Sequence, residues 1–265
     1  MSIRDIKRRM KSIKNIKQIT KAMGLVSATK LQKMRTEFES SRPFFLELEK
    51  MAQSIPSKIY SDEKQKHCII LISSTRGLCA SYNINVSKFA MDLFHKHNDS
   101  SLLVIGRCGC EIINRNKIYI DKFFPGSENN SFSFAKTVAD TAISYYKNGY
   151  EIYLVYTQFY SAMKFVPAYK KILPLAKINS DFIFEPDADY VMEHFVKNYV
   201  SSIILSAMME SSVCEQSSRM MSMNSASDNA DQIISELTLK YNRLRQNQIT
   251  QELTEIISGA DALKN

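Results

Sequence analysis

The residue types that do chemistry are few in this chain, and their spacing is poor for it. Five cysteines, Cys68, Cys79, Cys108, Cys110 and Cys214, lack the even rhythm of a disulfide scaffold, so reduced thiols are expected. Cys108-Gly-Cys110 is half of a metal site, with no second pair or nearby histidine to complete a tetrahedron. Of His67, His95, His97 and His194, the pair His95 and His97 reads as a solvated helix end followed by Asn98, because i,i+2 positions do not face each other on a helix. The loop Ser73-Ser-Thr-Arg-Gly-Leu-Cys79 follows an apolar run, at the carboxyl end of a strand where α/β folds place ligands. It leaves two readings open: a Cys79 nucleophile beside Arg76, or a polar turn with a half-buried thiol, the second favoured because no base is positioned. Neither G-x-x-x-x-G-K-[ST] nor G-x-G-x-x-G occurs, and Gly106-Arg-Cys-Gly109 is too short a glycine set to cradle a pyrophosphate. No catalytic residue, cofactor or metal is expected, and the methionines Met208, Met209, Met220, Met221 and Met223 read as core or interface.

The elements that would carry any site divide sharply. No proline precedes Pro43 or follows Pro186, and outside the middle the glycines are Gly24 and Gly259. Proline costs about 3 kcal/mol and glycine about 1 kcal/mol inside a helix, so both ends read as unusually long helices. In the first, Ile3, Ile6, Met10, Ile13, Ile16, Ile19, Met23, Val26, Leu31, Met34 and Phe38 recur at three or four, which predicts one apolar stripe from about Ile3 to the mid-fifties, with Pro43 as a kink point. In the last, Ala230, Ile234, Leu237, Tyr241 and Leu244, then Ile249, Leu253, Ile256, Ala260 and Leu263, form a heptad seam with a one-residue shift. Each stripe needs a partner helix, and each is the other's obvious one.

Between them Cys68–Ser73, Leu102–Ile105 and Ile152–Tyr156 read as buried strands, with Lys117–Phe124 and Lys164–Leu173 weaker and the latter an edge because of Pro167 and Pro174. Val86–Phe94 and Phe134–Tyr146 read as amphipathic helices, giving βαβ units. The predicted fold class is α/β: a long antiparallel coiled coil of N- and C-terminal helices (1–55 and 187–265) with an inserted small, mainly parallel, Rossmann-like α/β domain (56–186).

The net charge of +8 is concentrated in Arg4, Lys7, Arg8, Arg9, Lys11, Lys14, Lys17, Lys21, Lys30, Lys33 and Arg35, against the single acid Asp5. Such a basic stripe predicts an acidic partner. A nucleic-acid arm would want exposed aromatics among the bases; aliphatics at helical spacing favour protein contact. No apolar run approaches the roughly 20 residues that cross a bilayer, and the start lacks a signal core, so a cytosolic location is expected.

Both termini resemble the γ-subunit family of F-type ATP synthases. The opening Ile13-Lys-Asn-Ile-Lys-Gln-Ile-Thr-Lys-Ala-Met23 with Val26-Ser-Ala-Thr-Lys-Leu31 carries it. So do Arg219-Met-Met-Ser-Met223, Ala226-Ser-Asp-Asn-Ala230, Leu237-Thr-Leu-Lys-Tyr-Asn242 and Gln248–Ile256 at the close, with Arg76-Gly-Leu-Cys79, Asn83 and Phe184-Glu-Pro-Asp187 between. The resemblance implies a non-catalytic central rotor shaft, without cofactor or nucleotide, standing in a hexameric ring of alpha and beta subunits. Its base would bind the epsilon subunit and the c-subunit ring, at the cytoplasmic face of the membrane and without spanning it. Residue by residue, Met23, Arg245, Gln246, Thr250, Gln251 and Glu252 match positions facing beta-subunit loops, and the basic stripe with Arg8, Arg9, Lys11 and Lys21 gains an acidic partner. Gly24 departs from the lysine or glutamate that commonly follows the methionine, Thr75 from the usual acid, and Ala80-Ser81 from a glycine pair. A basic coiled-coil adaptor for nucleic acid is the alternative, and an enzyme built on the sheet ranks third.

Overall fold

The structure is a computed structural model that describes residues 2–54, 66–97, 99–126, 130–161, 163–175 and 188–262. The element order is α1 (Ile3–Ser54), β1 (Lys66–Ile72), α2 (Tyr82–Lys96), β2 (Ser100–Ile105), α3 (Arg107–Arg115), β3 (Lys122–Phe124), α4 (Phe132–Lys147), β4 (Tyr150–Ser161), β5 (Lys164–Leu173) and α5 (Ala188–Ala262). Two compact units result: residues 1–26 with 220–265, and residues 27–219. The second unit therefore takes in parts of both long helices beyond the 56–186 segment marked by the change in sequence texture. The motif Phe184–Asp187 and Leu263 lie outside the described residues, as does the side chain of Ala260.

In unit 27–219 the sheet has the order β3-β2-β1-β4-β5. β1 pairs in parallel with β2 and β4, β2 in parallel with β3, and β5 antiparallel with β4 at the edge. The edge place of β5 follows from Pro167, which has no N–H for a second ladder and sits opposite Thr157. Of Lys117–Phe124 only Lys122–Phe124 is strand. Buried on both faces, β1 puts Cys68, Ile70 and Ile72 into one core and Ile69 and Leu71 into another.

The first core is closed by α4, through Ala135, Val138, Ala139, Ala142 and Tyr146, and by α5, through Val196, Tyr199, Val200, Ile203, Ile204, Ala207 and Met208. The second is closed by Val86, Ala90 and Leu93 of α2 and Ile113 of α3. Burying each large aliphatic side chain contributes about 1.5–3 kcal/mol, so this two-sided core dominates the unit's stability. Ser131 starts α4 by accepting a hydrogen bond from the Phe134 N–H at 3.2 Å.

α3 buries one face, through Gly109 and Ile113, but at nine residues with a glycine near its start it is too short for that face to stand out along the chain. Its glycines turn out to be packing devices. Gly106 has φ +94°, and a Cβ there would overlap the Ser73 backbone, while at Gly109 it would overlap the Ser73 side chain. Ser73 Oγ fills the space, accepting from Gly109 N–H at 3.0 Å and donating to the Ile105 carbonyl at 2.8 Å. The pair Gly106 and Gly109 thus joins α3 to the end of β1 and cradles no phosphate.

In unit 1–26 with 220–265 the two long helices run antiparallel. Lys17 Nζ meets Asp231 Oδ1 at 2.5 Å, and the site of a Cβ on Gly24 lies 2.9 Å from Asn224 Oδ1 and 3.6 Å from Met223 Cβ. Seven residues up α1 therefore match seven down α5, as a heptad requires.

Candidate functional site: exposed faces of the two helices

Ile3, Ile6, Met10, Ile13, Lys17, Thr20, Gly24, Ser27, Leu31, Met34 and Phe38 of α1 are buried or half-buried and alternate by three and four, with Asp5, Met23 and Ala28 half-buried at the margins of this seam. This corrects the predicted stripe. Ile13, Ile16 and Ile19 step by three twice, and each such step turns 300°, so the aliphatics drift off a seam that advances by 3.5. Ile16 (47% exposed), Ile19 (60%) and Val26 (57%) face outwards, while Lys17, Thr20, Gly24 and Ser27 take the inward face. Met23 is half-buried at the margin. Gly24 is buried in the seam, so its cost in helix propensity is offset by close approach of α5 rather than left as looseness between helices.

Arg8, Arg9, Lys11 and Lys21 are all exposed. Arg8 pairs with Asp5 at 3.3 Å, and Asp5 is held below its ordinary value by hydrogen bonds from Ser2, first from its side chain and then its backbone. The outward face of α1 thus carries both the cationic side chains and exposed aliphatic ones.

On α5 the inward positions Met223, Ala230, Ile234, Leu237, Tyr241 and Leu244 agree with the expected seam. Extending the 17-to-231 register places the start of α1 opposite about residue 245, so α5 continues past it. Everything from Arg245 to Gly259 is exposed, including the aliphatics Ile249, Leu253, Ile256 and Ile257. Arg245, Gln246, Thr250, Gln251 and Glu252 lie on this overhang. Gln248 Nε2 donates to Glu252 Oε1 at 3.0 Å, and Gln251 Nε2 to Glu255 Oε1 at 3.0 Å. This heptad stripe has no partner helix within the described residues and leaves a row of aliphatic side chains exposed.

The crevice in unit 27–219 behaves oppositely. A sheet with β1 flanked by β2 and β4 has its switch point at their carboxyl ends, where such folds bind nucleotides. Here α5 occupies it. Ser211 Oγ accepts from Thr157 N–H at 3.3 Å, Glu210 Oε1 from Phe159 N–H at 2.9 Å, and the Ser211 carbonyl from Tyr82 OH at 3.2 Å. What remains is a cavity of about 40 Å³ lined by Ser73, Thr75, Asn130, Ser211, Ser212 and Glu215 among others, against the 300–1,000 Å³ of an ordinary ligand pocket.

Cys79 is 2% exposed, and burial raises its thiol above the ordinary value although Ser74 lies beside it. The thiolate that a nucleophile needs is disfavoured, and the Arg219 guanidinium packs on this loop through the Arg76 and Gly77 carbonyls. Cys108 and Cys110 sit on α3, and no group of three metal-ligating side chains occurs among the described residues. His97 departs from the solvated end expected of it: its ring stacks on His67 at 4.0 Å, beside Glu151, Tyr153 and Lys171.

A family model described as ATP synthase matches residues 2–263. The chain is similar to the ATP synthase gamma chain of Alkaliphilus metalliredigens, at 38% identity over 100% of this chain and 99% of that one. It is similar also to those of Clostridium perfringens (35%; 98% and 98%) and Chlorobium phaeobacteroides (33%; 99% and 99%). In fold it resembles a chain of the Euglena gracilis mitochondrial ATP synthase with TM-score 0.81 at 17% identity, covering 98% of this chain and 94% of that one. A chain of the Tetrahymena thermophila central stalk and c-ring gives 0.68 at 24%, covering 79% and 99%. The fold of long helices with an inserted sheet thus has full-length counterparts, and the chain belongs to the ATP synthase gamma-chain family.

Proposed function

We propose that this gamma-family chain turns as the central shaft of a proton-translocating rotary ATP synthase, coupling ion flow to ATP synthesis or hydrolysis without catalysing either. The overhang of α5, with Arg245, Gln246, Thr250, Gln251 and Glu252 around exposed Ile249 and Leu253, enters the ring of alpha and beta subunits. Met23 and the exposed Ile16, Ile19 and Val26 meet a mixed apolar and acidic loop of a beta subunit, flanked by Arg8, Arg9, Lys11 and Lys21. Unit 27–219 carries the contacts to the epsilon subunit and the c-ring, at the cytoplasmic face of the membrane. Consistent with peripheral attachment, no helix among the described residues is long and apolar enough to cross a bilayer.

The observation that carries this reading is the unpartnered heptad stripe of α5 in a chain matching the family from end to end. An asymmetric axle works by stiffness and by charged and apolar contacts at its surface, so no nucleotide site is needed on it. Co-purification with alpha and beta subunits, and rotation of a bead fixed to this chain in an immobilised ring during ATP hydrolysis, are the expected results. ATP turnover by the isolated chain, or nucleic-acid binding tighter than its binding to the ring, would overturn the reading.

A further inference from the structure

The loop between β1 and α2 is strained and held in place from α5. Leu78 and Ala80 sit in the left-handed region, at φ 63° and 46°, where residues with a Cβ are disfavoured. Nothing in the loop's own sequence requires this, since Gly77 is adjacent and does not take either position. Two sets of bonds hold the loop. From within, Asn83 accepts from the Ser74 N–H at 3.0 Å and donates to Ser74 Oγ at 2.7 Å and Cys79 Sγ at 3.0 Å. From α5, Ser218 Oγ donates to the Cys79 carbonyl at 2.7 Å. Arg219 donates through Nη2 to the Arg76 carbonyl at 2.9 Å and through Nε to the Gly77 carbonyl at 3.2 Å. Its remaining nitrogen, Nη1, meets Glu215 at 2.8 Å, and the two side chains are only 8% and 17% exposed. A guanidinium presents its donors in a fixed fork, so one buried side chain fixes the positions of three acceptors at once.

We propose that Arg219 is a positioning residue: with Glu215 and Ser218 it clamps the strained loop 74–80 to α5, so that the loop's exposed tip, Thr75–Leu78, keeps one shape and turns with the helix as one body. Two sequence motifs far apart in the chain, Arg76-Gly-Leu-Cys79 and Arg219-Met-Met-Ser-Met223, are then the two halves of one joint. The hydrophobic core attaches α5 to the sheet; the clamp has the separate task of fixing the loop. Its value to coupling rests on the rotor reading.

The test replaces the pair in the assembled complex as Glu215→Gln with Arg219→Met, and separately makes Arg219→Lys. Exchanging a buried ion pair for uncharged groups of similar volume is often neutral for stability, so the melting temperature should hold. The Ser74 amide, which donates to Asn83 inside the clamped loop, should exchange about tenfold faster or more, because bonds from a charged donor to the loop are lost. Lysine, with a point charge in place of the fork, should restore the ion pair to Glu215 without restoring loop protection. In membrane vesicles the double variant should keep ATP hydrolysis and lose ATP-driven proton uptake. Unchanged loop exchange, faster exchange with unchanged proton uptake per ATP, or failure of both variants to assemble would each overturn the clamp. The rotor reading fails by a different sign: vesicles with the unaltered chain that hydrolyse ATP yet never pump.

Discussion

At the scale of single residues, burial separates groups that look alike in the sequence. Cys68, Cys79 and Cys214 are buried and their thiols are raised chiefly by desolvation, whereas Cys108 and Cys110 are partly open. Alkylation of the folded protein followed by mass mapping should label Cys108 and Cys110 first, the other three only on unfolding. His67 is the clearest pH-sensitive group. Burial, then the neighbouring His97, lowers its value from the ordinary 6.5, against the raising effect of Glu151. Its Nδ1 has no hydrogen-bond partner among the described residues. Between 6.5 and the lower folded value the unfolded chain binds more protons, so this group's contribution is intact above 6.5 and lost as pH falls through that window. Thermal melts at pH 7 and 5 should show a larger drop for the natural chain than for His67→Gln; equal drops would remove His67 as the cause. Histidine spacing signalled none of this, because the partners come from β4, β5 and the end of α2.

At the scale of elements, the existence of every long helix and core strand was legible in the sequence, since apolar period and breaker exclusion report on local structure directly. The face of α1 was not. Ile16, Ile19 and Val26 look like seam residues by type, yet the seam follows the geometry of pairing and takes in Lys17, Thr20, Gly24 and Ser27. Two consequences can be measured by denaturant unfolding. Gly24→Ala gains about 1 kcal/mol of helix propensity but must displace the Asn224 amide, so alone it should be near neutral. Combined with Asn224→Ala it should stabilise by about 1 kcal/mol relative to Asn224→Ala alone. The Lys17–Asp231 pair is one-third and one-half exposed, so a double-mutant cycle should return only about 0.5 kcal/mol, falling with salt. A short helix such as α3 escaped because its reason for existing, the fit of Gly106 and Gly109 against Ser73, is tertiary.

At the scale of the whole molecule, the overhang of α5, to which the rotor proposal gives a functional role, is exposed and adds nothing to the packing of the fold. Removing residues 246–265 should leave the melting temperature of the isolated chain unchanged, because the side chains described there are exposed. The same truncation should lower the torque of a bead-labelled complex; undiminished torque would remove the overhang from the contacts that drive rotation. The sequence by itself determined the division into long helices and a small sheet, the strand identities, the basic stripe and the family. These follow from periodicity, composition and motifs, which are written along the chain. Tertiary structure alone decided which aliphatics stay outside, that Gly24 lies in the seam, that α5 plugs the crevice a nucleotide would use, and that Arg219 reaches the loop at Arg76 and Gly77. Each of those depends on groups brought together from distant parts of the chain, and their distances are set by packing and register.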